Sequence, residues 1–130
     1  MTNAENPSIR TSIAPWLSVQ NGPTAVEFYK TAFGATETYR LETPDGIIVK
    51  LSIGEAEFWI SGGSTNGDLK SVLGGDSIRM ILVVADPIPI FARALKAGAT
   101  EVYPIGEGHG WLLGRLVDPF GLHWEIGHLI

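Results

Sequence analysis

Few side chains in this sequence can do chemistry. Its three histidines are His109, His123 and His128, and it has no cysteine, which excludes thiolate nucleophiles, disulfides and cysteine-ligated zinc. His123 and Glu125 stand two apart in the strand-like run LHWEIGH, so both side chains leave the same sheet face. His123 is therefore a candidate acid–base group beside a carboxylate; the alternative is a satisfied polar residue at a rim. His109 lies in GEGHG, which lacks the Lys–Ser/Thr ending and the following helix of a phosphate-cradling loop. His128 reads as structural or interfacial. No HExxH or G-x-S-x-G motif is present, and the proline in Asn6-Pro7-Ser8 bars glycosylation. Four tryptophans are many for 130 residues. Trp16 and Trp111 are candidates to stack on a flat or cationic ligand, with core or interface packing as the alternative for each.

A scaffold must hold these groups, and the composition bounds it. Hydrophobic residues make up 45% and charged residues 18%, the balance of a folded globular domain. The formal charge is −5, and the nine Lys and Arg are scattered without a basic stripe, which argues against nucleic-acid binding. An acidic surface can draw in a cationic ligand or simply confer solubility. Apolar runs break well before membrane-spanning length and no charged-then-apolar leader opens the sequence, so the expectation is a cytoplasmic protein with no membrane partner.

An internal repeat sets the fold. FGATETY (33–39) and AGATEVY (97–103) agree at Gly, Ala, Thr, Glu and Tyr, and their flanks agree in plan. SIAPWLSV (12–19) and SIRMILVV (77–84) are apolar runs suited to strands buried on both faces. Asn21, Gly22 and Pro23 start one helix, with Val26, Tyr29 and Phe33 at helical spacing and Gly34 as its stop. Asp86 and Pro87 start the other, with Ile88, Phe91, Ala92 and Leu95 as the expected buried stripe and Gly98 as its stop. Three strand-like runs follow each helix: 36–42, 47–53 and 57–62, then 100–105, 111–117 and 122–128. The expectation is an α+β fold of two tandem βαβββ modules forming a cupped mixed sheet. One domain is expected over 12–128, with module one at 12–62, a Gly-rich linker at 63–76 and module two at 77–128. One face of each sheet stays uncovered by its helix, which calls for a ligand cavity or a dimer. Tyr39 and Tyr103, being repeat-equivalent, read as structural.

SVQNGPTAVEFYKTAFGATE, the Pro-Asp-Gly turn at 44–46, VVADP with FARALKAGATEVYP, and GRLVDPFGLHWEI together resemble the vicinal oxygen chelate superfamily of glyoxalases, bleomycin-resistance proteins and dioxygenases. The resemblance covers roughly 12–128 and is closest to the small bacterial PhnB-like subgroup. It implies four inward side chains, two from the opening strands and two from the closing strands, which hold a metal in the metal-dependent members. Counted from the turns, those positions fall at Ala14, Phe58, Arg79 and Glu125. Only Glu125 can bind a divalent metal, and Arg79 would repel one, so the superfamily's metal site is expected to be lost and no cofactor is expected. Arg79 is then either an anchor for a carboxylate or other anion, or half of an internal ion pair with Glu125. By parity Trp16 walls the cup, while Trp59 and Trp124 are expected under the helices. His109 and Trp111 border the cup mouth.

Three readings of function follow. The first is a metal-free homodimer binding a small molecule in its cup through Trp16, Phe58, Arg79, His109, Trp111, His123 and Glu125. The second is a lyase, isomerase or dioxygenase using Glu125 with a histidine. The third is a non-catalytic interaction module whose cavity is filled by Trp16, Phe58 and Arg79.

Overall fold

The computed structural model describes residues 12–63 and 78–130. The expected linker therefore lies, beyond Gly63, outside the described residues. Module one runs β1 (Trp16–Ser18), α1 (Gly22–Phe33), β2 (Thr36–Thr43), β3 (Gly46–Ile53) and β4 (Ala56–Gly62). Module two runs β5 (Arg79–Val83), α2 (Pro87–Lys96), β6 (Thr100–Gly108), β7 (Trp111–Val117) and β8 (His123–Leu129). The strands form two mixed four-stranded sheets, ordered β1-β4-β3-β2 and β5-β8-β7-β6. In each, the opening strand pairs in parallel with the closing strand and the other pairs are antiparallel. The repeat extends to an irregularity. Both copies of the GATE segment shift register at the same place, between Glu37 and Tyr39 and between Glu101 and Tyr103.

The helix ends follow local chemistry. Asn21 caps α1 by accepting the Thr24 amide at 3.0 Å, and Gly34 closes it in the left-handed region at φ 70°. Asp86 caps α2 by accepting the Ile88 amide at 3.3 Å. The buried stripe of α2 differs from the sequence expectation. Pro87, Phe91 and Ala94 are buried, Ile90 and Leu95 partly so, whereas Ile88 and Ala92 face solvent. Gly114 accounts for Phe91's position: a Cβ there would lie 2.9 Å from the Phe91 ring, so glycine lets α2 sit close on β7.

The opening strands also differ from expectation. Leu17 and Leu82 are buried, but Trp16, Ile81 and Val83 are 51%, 58% and 63% exposed. These strands are covered on one face only. The reason is the shared core. Helix-facing side chains of both sheets meet there: Phe58 of β4 touches Trp124 of β8 with ring centroids 6.0 Å apart, and Tyr29 of α1 touches both rings. The helices also pack on each other, with Arg93 Nε donating to the Ala32 carbonyl at 3.4 Å. With both sheets turned inward on one core, their other faces look outward.

One carboxylate ties the modules together. Asp118, in the turn before β8, accepts the amides of Phe120 and Leu122 at 2.9 and 3.0 Å on Oδ1. Its Oδ2 accepts the Trp124 indole N–H at 2.9 Å and the Tyr29 hydroxyl from the other module. Burial pushes the Asp118 carboxyl above its ordinary pKa, while these four donors pull it down. Burial, followed by the Asp118 charge, also holds the Tyr29 hydroxyl well above its ordinary pKa, so it stays a donor. No described helix is long and apolar enough to cross a membrane. In urea denaturation Asp118→Asn should lose about 2–4 kcal/mol, because the amide accepts on one side only and must turn its NH2 toward two of the four donors; Tyr29→Phe should lose about 1 kcal/mol.

Candidate functional site

The strand pairings fix which side chains share the outward, concave faces. Trp16 pairs with Trp59 in module one, and Ile81 pairs with Glu125 in module two. The bonds that close the two parallel pairs match as well. Val19 N–H donates to the Ser61 carbonyl at 2.9 Å, and Val84 N–H to the Gly127 carbonyl at 3.0 Å. Stepping back two residues from each acceptor gives Trp59 and Glu125 as equivalents. The fourth position is therefore Trp59, and the expectation of Phe58 is off by one residue. Phe58 is buried on the helix-facing side. With Ala14, Met80 and Ile81 it lines a separate concavity of about 310 Å³ near the start of both opening strands. Trp124 does pack under the helices, but Trp59 does not.

Module one presents an aromatic face. Trp16 and Trp59 stack with centroids 5.7 Å apart and planes inclined 21°. Tyr39 meets Trp59 edge-on at 5.6 Å. The Trp16 indole N–H donates to Ser61 Oγ at 2.9 Å, which fixes the ring. Lys50 Nζ lies 5.2 Å from the Trp59 ring centroid and 3.6 Å from Glu57 Oε1. The protein's own lysine thus takes the cation position on this aromatic pair.

Module two presents a polar face. Arg79 Nε lies 3.3 Å from Glu125 Oε2. Arg115, opposite Glu125 on β7, donates from Nε to His123 Nδ1 at 3.1 Å and stands 5.8 Å over the Tyr103 ring. Arginine always donates, so this bond requires an unprotonated Nδ1, and the neutral ring then carries its proton on Nε2. Arg115 is only 7% exposed, although it lies on the concave side. The same face continues along β7 into a groove of about 460 Å³ lined by Tyr103, Pro104, Trp111 and Leu113. His109 reaches that groove from the hairpin tip, where it and Gly110 adopt φ of 53° and 83° in a two-residue turn. His128 lies on the opposite face, with Nδ1 2.9 Å from the Val84 carbonyl oxygen.

The structure thus gathers Arg79, His123 and Glu125 on one face, with Trp111 and His109 further along it. Trp16 lies on the other module's face. Sequence reasoning passed over Arg115, Trp59, Lys50 and the ring contact of Tyr103. Arg115 did leave a signal: it is the lone charge in the apolar strand WLLGRLV, at the same parity as Trp111.

A metal does not fit the four equivalent positions. Ala14 and Trp59 offer no donor, Arg79 is a cation, and Glu125 alone supplies oxygen. Among the described residues, no group of three or more His, Asp or Glu could hold a metal ion.

No protein-family model matches the sequence. An uncharacterized protein of Mycobacterium bovis is 31% identical over 132 residues, spanning 92% of this chain and 84% of its own length. The chain belongs to the family of that mycobacterial protein. Solved structures supply the fold. A glyoxalase/bleomycin resistance protein/dioxygenase family enzyme from Burkholderia phytofirmans matches with a TM-score of 0.67 at 17% identity, covering 88% of this chain and 95% of its own. A PhnB protein from Bacillus cereus matches at 0.70 and 14%, covering 90% and 98%. The fosfomycin resistance protein FosX of Listeria monocytogenes, solved with Mn(II) and a dihydroxypropylphosphonic acid, matches at 0.70 and 13%, covering 92% and 90%. The fold is therefore that of the glyoxalase/bleomycin-resistance/dioxygenase superfamily.

The indole stack gives a direct check on the module-one face. Two indoles this close couple their transitions, so wild-type protein should show an exciton couplet in far-UV circular dichroism. Trp16→Phe should remove it while leaving thermal unfolding cooperative.

Proposed function

We propose that this chain is a small-molecule-binding protein of the glyoxalase/bleomycin-resistance type that works without a metal, and that a second copy closes its concave faces. The observation that carries this reading is the donor set: an indole, a methyl group and a guanidinium stand where three of four ligands would be. A cytoplasmic protein of the PhnB-like subgroup is the finer form of the same proposal, supported by the likeness to the Bacillus cereus PhnB protein. Elemental analysis of protein purified without chelator or tag should find no stoichiometric metal. Calorimetric titration with Ni²⁺, Mn²⁺, Zn²⁺ and Fe²⁺ should find no micromolar site. A stoichiometric metal that is lost on Glu125→Gln would overturn the reading.

The outward faces support dimer formation. Ile81, Val83 and Trp16 leave apolar area in water on both modules, and the shared core prevents one chain from folding these faces together. A homodimer that sets module one of each copy on module two of the other covers both faces at once. Sedimentation should give twice the 14.0 kDa chain mass, and Ile81→Glu should shift it toward monomer. A wild-type protein that stays monomeric at micromolar concentration contradicts this arrangement. An acid–base enzyme is the second reading, favoured by the Arg115–His123 bond that leaves a neutral imidazole on the face of Glu125. The filled-cavity reading loses one support, since Phe58 belongs to the core.

A further inference from the structure

We infer that the cleft where the two modules meet, at the start of β1 and β5, is a ligand site of its own, for a single apolar ring that carries a hydrogen-bond donor and no negative charge. The site stands apart from the reading given for the concave faces. Among the described residues the two sheets share no strand pairing, so side chains alone fill the junction between their opening edges. They fill it incompletely. A cleft of about 310 Å³ remains, with Ala14, Pro15 and Ile53 on the module-one side and Met80 on the module-two side. Its floor is Phe58, Leu82 and Trp124, which are 3%, 9% and 3% exposed, so the cleft reaches the shared core. Ile81 forms a lip toward the concave face, but the Tyr103–Trp111 groove contributes nothing to the lining.

Each part of the lining bears on what can bind. Trp124 donates its indole N–H to Asp118 at 2.9 Å, and its ring meets Phe58 edge-on with centroids 6.0 Å apart. The aromatic floor is therefore fixed before any ligand arrives, and it offers rings rather than hydrogen-bonding groups. Pro15 brings no N–H, and its carbonyl already accepts the Trp59 amide at 2.8 Å. Met80, half-buried and flexible, can adjust its thioether to a ring edge. This volume stands at the small end of ligand pockets, enough for one substituted ring. Polar groups stand at the exposed rim: the Ser12 hydroxyl and the carboxylates of Glu55 and Glu57. Lys50 Nζ lies 3.6 Å from Glu57 Oε1, so Glu55, in the turn between β3 and β4, is the carboxylate that sorts ligands by charge. It accepts from a hydroxyl or an ammonium and repels an anion. A ring held here touches both modules at once, so binding also opposes their unfolding.

The test is an NMR titration of the full chain with three probes built on one scaffold: phenethyl alcohol, phenethylammonium and phenylpropanoate. The alcohol and the ammonium should bind with Kd on the order of 0.1–1 mM and raise the thermal midpoint. Phenylpropanoate should bind about tenfold or more weakly. The Trp124 indole N–H resonance should move with the bound fraction, while those of Trp16 and Trp111, on the concave faces, stay in place. Ala14→Leu fills the cleft from a residue outside helix and strand, and should weaken the alcohol about tenfold or more. Glu55→Lys, on an exposed turn, should reverse the order of the two ions. Movement of Trp16 or Trp111 without Trp124 puts the probe on a concave face and overturns the inference. So does an unchanged order in Glu55→Lys, an alcohol affinity untouched by Ala14→Leu, or no saturable shift with any probe, as when the chain's own residues fill the cleft. The metal-free reading of the concave faces fails on the metal titration instead, so the two failures are distinguishable.

Discussion

The structure depends on the four hydrogen bonds that converge on Asp118. A buried carboxylate is stable only when its lone pairs are filled, and here two backbone amides, an indole and a phenol fill them. The donors come from three places: the β7–β8 turn, β8 itself and α1 of the other module. Satisfying one charge thus fixes the position of α1 against module two. Phe28, Tyr29 and Phe33 then pack on Phe120 and Trp124, and the two modules share a single core. The outward faces follow from that inward arrangement.

Much of the fold was legible in the sequence because the GATE repeat carries it. Both helices start at the expected Asn and Asp caps, and six strands follow the apolar runs to within a few residues. The sheet faces of the candidate residues were legible in module two and misread in module one. Counting from turns assumes equal turns, yet Lys50 corresponds to Arg115, 65 residues later, while Trp59 corresponds to Glu125, 66 later. One extra residue between β7 and β8 inverts parity, and in a strand inverted parity exchanges core for surface. That single slip accounts for both Phe58 and Trp59. The α2 stripe failed for a different reason. Ile88 and Ala92 have the right spacing, but the close approach permitted by Gly114 turns the helix toward Phe91 and Ala94. The Arg115–His123 bond spans two strands, and no pattern along one strand displays it.

The two faces have diverged while their frame has not. Tyr39 and Tyr103 hold matching places after matching register shifts, each opposite a basic residue, Lys50 or Arg115. In module one the lysine lies over an indole; in module two the arginine turns to an imidazole as well. A duplicated scaffold has produced one aromatic surface and one donor-rich surface. Each is tuned by substitutions at strand positions that leave the shared core untouched.

The opposed directions of these two surfaces carry a thermodynamic consequence. A chamber that needs one surface from each of two chains exists only in the associated state, so ligand occupancy and self-association become linked equilibria. Two chains related by a twofold axis make that chamber twice. In the proposed homodimer each ligand would strengthen the contact between copies, and dilution of the protein would weaken the hold on ligand with no change in any side chain. In such an assembly the amount of protein would set affinity as well as capacity.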